Sequence, residues 1–344
     1  MADTTPVPFT IKGITLCRPD EKPAWFVIEM RLHGQTFHLH VARIRFHNSP
    51  NELQRLQDYA SALNERPYGL GDCGAWALTP VLPLLPNLAP KVPLKSVTTL
   101  ADYFAGSQYH CQIHAVDDSL VLYNVKSSDN GNWLRRETAD DCIIPRDIFP
   151  IFHPGKVEIV HDTTPSLDRD PTTVQVNGVQ YRFDMYERNN ASMASEDMVN
   201  YARISRAQLP PTVHVYPLMG IVVDEEKPQR PLGLLLPSVS DATSLFNLHD
   251  ELQSTLGMRQ MWVQQLQDSV AALHAIGMVW DGVDKDNVYV DRNMDLWIGG
   301  IGRGGQPDLV DMGSEYTMAH DLQGVERLSE WIMDCGDGHT LSKI

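Results

Sequence analysis

The stretch from Met258 to Ile298 constrains this chain more than any other. Trp262, Leu266, Val270 and Leu273 recur at helical spacing, so Met258 to Ile276 reads as a long helix with one apolar stripe. After Gly277 comes a loop dense in carboxylates, Asp281, Asp284 and Asp286, closing on Asn287. Two short apolar runs follow, Val288-Tyr289-Val290 and Leu296-Trp297-Ile298, which read as a strand pair. Whatever fold the chain adopts must seat an acidic loop between a long helix and a small sheet. Polar loops held by rigid elements are where binding and catalytic groups concentrate.

The remaining punctuation gives an α+β order. Trp25 to Leu32, His33-Gly34, then Gln35 to Val41 reads as a hairpin. A helix opens at Asn51-Glu52-Leu53 and runs to about Leu63, with Ser49 or Asn51 as its cap. Prolines at 80, 83, 86, 90 and 93 break any long helix between Leu78 and Pro93. Val97 to Phe104 is a short capped helix, and Tyr109 to Val125 a strand pair turning at Asp117-Asp118. Gly155 to Asp170 reads as a boundary. Beyond it, Asn177-Gly178 between Val174-Gln175-Val176 and Val179 to Tyr186 is the sharpest hairpin signal. A helix at Ser195 to Ser205, strands at Val213 to Val223 and Pro231 to Leu236, a helix at Thr243 to Leu256 and a final helix from Met318 to about Met333 complete the expectation.

Composition excludes several classes of function. The 344 residues carry a net charge of -16, which argues against nucleic acid and against anionic membranes as partners. No apolar run reaches membrane-spanning length, and the first residues have no basic region followed by an apolar core. Five widely spaced cysteines without C-x-x-C suggest reduced thiols and a cytoplasmic setting. His38 and His40 share a strand face, but no cysteine or carboxylate stands at ligand spacing, so no metal site is expected.

The loop carries a resemblance. In protein kinases a helix ending in Leu-His, two residues and Gly leads to the catalytic Asp, with a magnesium-holding Asn five residues later. Leu273-His274-Ala275-Ile276-Gly277 and Asn287-Val288-Tyr289-Val290 keep that frame. Trp280 matches the Trp of a Trp-Gly-Asp type of catalytic loop, and Leu296 to Gly304 corresponds to a strand followed by an acidic-Phe-Gly-Gly run. On these residues the chain resembles a family of fungal protein-kinase-like proteins, whose N-terminal extension has a short helix like Thr99 to Phe104. The resemblance implies an α+β, protein-kinase-like bilobal fold with a shortened large lobe. It divides the chain into a strand-rich α+β N-terminal domain (1–154), a small lobe (155–240) and a large lobe (241–344).

The departures bear on chemistry. Gly282 stands five residues before Asn287, with Asp281 one place back, and Gly300-Ile301-Gly302 stands where the family has Asp-Phe-Gly. Asp184 falls where a kinase has its phosphate-holding Lys; Arg182 faces the same side of the strand, and Glu196 is the helix acid. Before Val174 there is no G-x-G-x-x-G, only Asp162, Asp168 and Asp170. These losses predict a pseudokinase-like protein without protein phosphotransfer and with no cofactor, and they disfavour ATP-magnesium binding. Two function classes stay open. In one, the cleft holds a small organic ligand, with Asp281 or Asp286 as acid or base, Asn287 as hydrogen-bonding group, and Arg182, Asp184, Glu196, Asp284 and Gly300 as binding positions. In the other, the protein acts by contact with a protein partner. An atypical kinase relying on Asp281 is the third reading. His274 is expected to be structural.

Overall fold

A computed structural model describes residues 9–16, 25–65, 70–88, 91–125, 142–161, 166–186, 191–238, 242–245, 254–302 and 317–334. The chain has a mixed α+β fold and divides into two compact units. One comprises Met1–Glu137 with Pro154–Pro171; the other comprises Thr138–His153 with Thr172–Ile344.

The first unit is built on a five-stranded sheet in the order β1 (Thr10–Leu16), β2 (Trp25–Leu32), β3 (Gln35–Ala42), β4 (Gln108–Val116), β5 (Ser119–Val125). Only β3 and β4 pair in parallel. Both hairpins turn through residues at positive φ, His33-Gly34 and Asp117-Asp118, which fits two-residue turns of right-handed twist. Alternation sends Phe26, Ile28, Met30, Phe37, Leu39, Val41 and Ile113 to one face. There they pack with Leu56 of α1 (Pro50–Glu65) and with Cys73 and Leu78 of α2 (Leu70–Leu78).

The opposite face is rich in histidine. His38 stacks on His110 at 4.8 Å, and a ring nitrogen of His110 lies 3.2 Å from His40 Nε2. Burial, His110 and Arg45 push the His40 imidazole down to about 4, so it is neutral at pH 7. Among the described residues no cluster of His, Cys, Asp and Glu is arranged to hold a metal ion.

The stretch read as a boundary folds with this first unit. Asp168 accepts the Gly34 backbone N–H at 2.8 Å, while Asp170 pairs with Lys12 and accepts the Tyr103 hydroxyl at 2.8 Å. Tyr103 lies on α3 (Leu100–Phe104), capped reciprocally by Thr99 and Asp102. The short strand β7 (Glu158–Ile159) sits against that cap, Ile159 N–H donating to Thr98 O.

In the second unit β6 (Ile151–Phe152), β10 (Gly220–Val223), β11 (Pro231–Pro237), β9 (Val179–Met185) and β8 (Thr173–Val176) lie side by side in that order. Asn177-Gly178 makes the β8–β9 turn, both at positive φ. A three-stranded sheet joins β12 (Ala242–Ser244), β13 (Val288–Asp291) and β14 (Leu296–Ile298). Helices α4 (Ala191–Ala207), α5 (Leu256–Ala275) and α6 (Met318–Asp334) complete this unit. One core runs through it, from Met198 and Tyr201 on α4 through Leu266 and Leu273 to Leu328 and Ile332 on α6.

Two expectations need correction. Thr243 and Ser244 are strand, not helix, because pairing with Val290 and Tyr289 outweighs local preference; residues 246–253 lie outside the described ones. Of Val213 to Val223 only Gly220–Val223 is a regular strand. Pro217 has no N–H to give a ladder there, and Val215 instead bridges to Ile298.

Candidate functional site

The acidic loop between α5 and β13 is organised around a buried carboxylate on α6. Asp321 is fully buried and accepts three hydrogen bonds, from His274 Nε2 at 2.8 Å, Trp280 N–H at 2.6 Å and Asp281 N–H at 3.0 Å. Two consecutive backbone N–H groups thus close on one carboxylate. Asp281 takes a left-handed conformation there, φ +47°. His274, expected to be structural, is tied to this anchor at the last turn of α5.

Beyond Asp281 the loop folds back on itself. Trp280 is fully buried and donates its indole N–H to Gly299 O at 2.7 Å, and Gly302 N–H returns a bond to Trp280 O at 2.9 Å. Asp284 caps a single helical turn, Lys285–Asn287, by accepting the Asp286 N–H. Asn287 donates its amide to Gly282 O at 3.1 Å, and its own carbonyl accepts Gly299 N–H at 2.7 Å.

Two glycines close the centre. A Cβ on Gly282 would lie 2.8 Å from Trp280 Nε1 and closer still to Gly300 O. A Cβ on Gly300, at φ +63°, would lie 2.5 Å from Asn287 Nδ2 and overlap the rest of that amide. Gly282, Asn287 and Gly300 therefore form one backbone-to-amide packing unit: a side chain at Gly282 would run into backbone, and one at Gly300 would be strained at its positive φ and would have to displace the Asn287 amide.

The predicted residues fall into two groups. Asp281, Asn287 and Gly300 come together with Gly282, and the Glu196 charge reaches Asp281 from α4. Asp284 and Asp286 sit on the adjoining helical turn. Arg182 donates to the Tyr289 hydroxyl and lies 5.2 Å over its ring, two residues beyond Asn287. Asp184 shares the Arg182 face of β9, opposite Leu234. Glu196 is exposed; the buried acid of α4 is its neighbour Asp197, which accepts the Tyr186 hydroxyl at 3.0 Å. Both missed acids left a trace: Asp321 shares a stripe with Val325, Leu328 and Ile332, and Asp197 one with Ala194 and Tyr201.

Burial, then the charges of Asp321 and Glu196, raise the Asp281 carboxyl to about 6. Burial and Asp284 raise that of Asp286. The folded loop thus holds the Asp281 proton more tightly than the unfolded chain does. The stability this gives is complete below about 3.8 and is lost as pH rises through about 6. Asp281→Asn is expected to stabilise the protein at pH 7 by about 1 kcal/mol, after discounting for solvent screening at a half-exposed group. Urea unfolding at pH 5 and pH 8 tests this: the gain should shrink at the lower pH, and an equal gain at both would refute the assignment.

Neither a scan against protein-family models nor a search of curated proteins finds a match to this chain. Among the described residues no helix is long and apolar enough to cross a membrane.

Proposed function

We propose that the chain is a kinase-like protein that does not transfer phosphate and works by contact with a protein partner. The packing of Gly282 and Gly300 against each other and against Asn287 supports the loss of phosphate transfer, and an open groove on α6, described below, supports the contact role. In the kinase resemblance these are the places of the catalytic and the metal-binding carboxylates. Here a side chain at Gly282 would run into the Gly300 carbonyl, one at Gly300 would have to displace the Asn287 amide, and that amide is bonded to Gly282 O. Arg182, the candidate phosphate partner, is bonded to Tyr289. Polar groups that a nucleotide would need are thus engaged within the chain, and the surroundings of Asp281 carry further acid in Asp321 and Glu196. A triphosphate would meet repulsion there.

A ligand that binds only the folded state raises the melting temperature by linkage. Thermal denaturation with millimolar ATP, with and without magnesium or manganese, is expected to show no metal-dependent rise. A rise that disappears in Asp281→Ala would overturn the reading in favour of an atypical kinase.

One observation favours the small-molecule reading as the second choice. A carboxyl raised to about 6 can give and take a proton near neutral pH, and Asp281 has that property. Under this reading Asp281 is the acid or base for a small organic ligand, with Asn287 beside it.

A further inference from the structure

An open groove of about 740 Å³ runs between α5 and α6, and none of the candidate residues above lines it. Its apolar lining is Leu322, Val325 and Met333 of α6. Leu322 is 59% exposed, although α6 is otherwise cleanly divided into buried and exposed faces. Beside this apolar row stands an acidic one, Glu326, Glu330 and Asp334. Residues four apart share a helix face, so these carboxylates recur about every 6 Å along the groove. Among the described residues the lining holds no Lys or Arg.

We infer that this groove takes a basic, amphipathic helix of a partner protein. An apolar floor flanked by a row of like charges with helical spacing is complementary to a helix with apolar residues at i, i+3 or i+4, and i+7, flanked by Lys or Arg at every fourth position. The alternatives fit less well. A small molecule is held in a concave site that buries most of its surface, whereas this groove is largely open to solvent. A second copy would bring another net charge of -16 to an acidic face. Nucleic acid and anionic lipid would be repelled by the same carboxylates.

The inference deepens the contact reading above and rests on it, but the two fail on different results. Metal-dependent ATP binding would remove the first. The second is tested on the full chain by fluorescence anisotropy with a labelled synthetic helix of about 18 residues, with Leu on one stripe and Lys on its flank. Two controls are used, the same peptide with Glu for Lys and a scrambled Lys peptide. Saturable binding is expected for the first peptide alone, weakening with added salt because the charges are exposed. Glu326→Lys with Glu330→Lys should weaken it by about tenfold or more, and Leu322→Asp should do so independently. All three positions are exposed, and unchanged thermal unfolding would show the variants to be folded. Equal binding of the scrambled peptide, or full retention in both variants, would overturn the inference. So would a concentration-dependent dimer that the charge reversal abolishes, since the groove's occupant would then be a second copy.

Discussion

Gly300→Asp is expected to destabilise the second unit by about 3 kcal/mol or more and to confer no magnesium-dependent nucleotide binding. Two costs add. A non-glycine residue at φ +63° sits in the left-handed region, at about 1–2 kcal/mol. Its Cβ must also push aside the Asn287 amide and break its bond to Gly282 O; overpacking of this kind costs about 1–3 kcal/mol. Gly300→Ala should cost nearly as much, because the clash begins at Cβ and not at the carboxylate. If Gly300 were only a lost metal ligand on an open loop, Asp would be tolerated and would bring metal-dependent ATP binding. Urea unfolding, followed by tryptophan fluorescence, separates these outcomes. A change below about 1 kcal/mol, with a new magnesium-dependent thermal shift, would sink the closed-centre account.

What could be read from the sequence was mostly local. The turns at His33-Gly34, Asp117-Asp118 and Asn177-Gly178 were legible because few residue pairs adopt positive φ readily. The stripe Trp262, Leu266, Val270, Leu273 was legible because one face is buried along all of α5. Strand β12 was not, since three residues show no period and its partner Val290 lies far along the chain. Nor was β6, which depends on parallel pairing with Ile221 and Val222. The same division runs through the site. Spacing placed Gly282 and Asn287 in the loop and Gly300 just past the strand pair. It did not tell that the two glycines meet, which is a fact of packing. It chose Glu196 over Asp197 because both are acids and only burial separates them. The carboxylate that anchors the loop, Asp321, is 40 residues beyond Asp281, and it lies on a helix that sequence reading treated only as the end of the fold.

Asp321→Ala should be among the most damaging single substitutions in the second unit, at about 3–5 kcal/mol. It would leave the N–H groups of Trp280 and Asp281 without their acceptor, in a place where Trp280 has no exposure to water. It would also remove the partner of His274 Nε2. Asparagine is not an adequate substitute. Its single carbonyl can take the place of Oδ2, which receives the Trp280 and His274 bonds, but its NH2 then faces the Asp281 N–H, donor against donor. Asp321→Asn is therefore expected to fall between alanine and wild type, at about 2 kcal/mol. A second readout separates anchoring from general packing. Asp321 is the largest charge raising the Asp281 carboxyl, so in Asp321→Asn that carboxyl should titrate below about 6, with burial and Glu196 still holding it above its ordinary value. Carbon-detected NMR titration of the Asp281 carboxyl reads this directly. An alanine variant within about 1 kcal/mol of wild type, or an Asp281 titration unmoved in the asparagine variant, would mean that the loop is held by the Trp280, Gly299 and Gly302 bonds without Asp321.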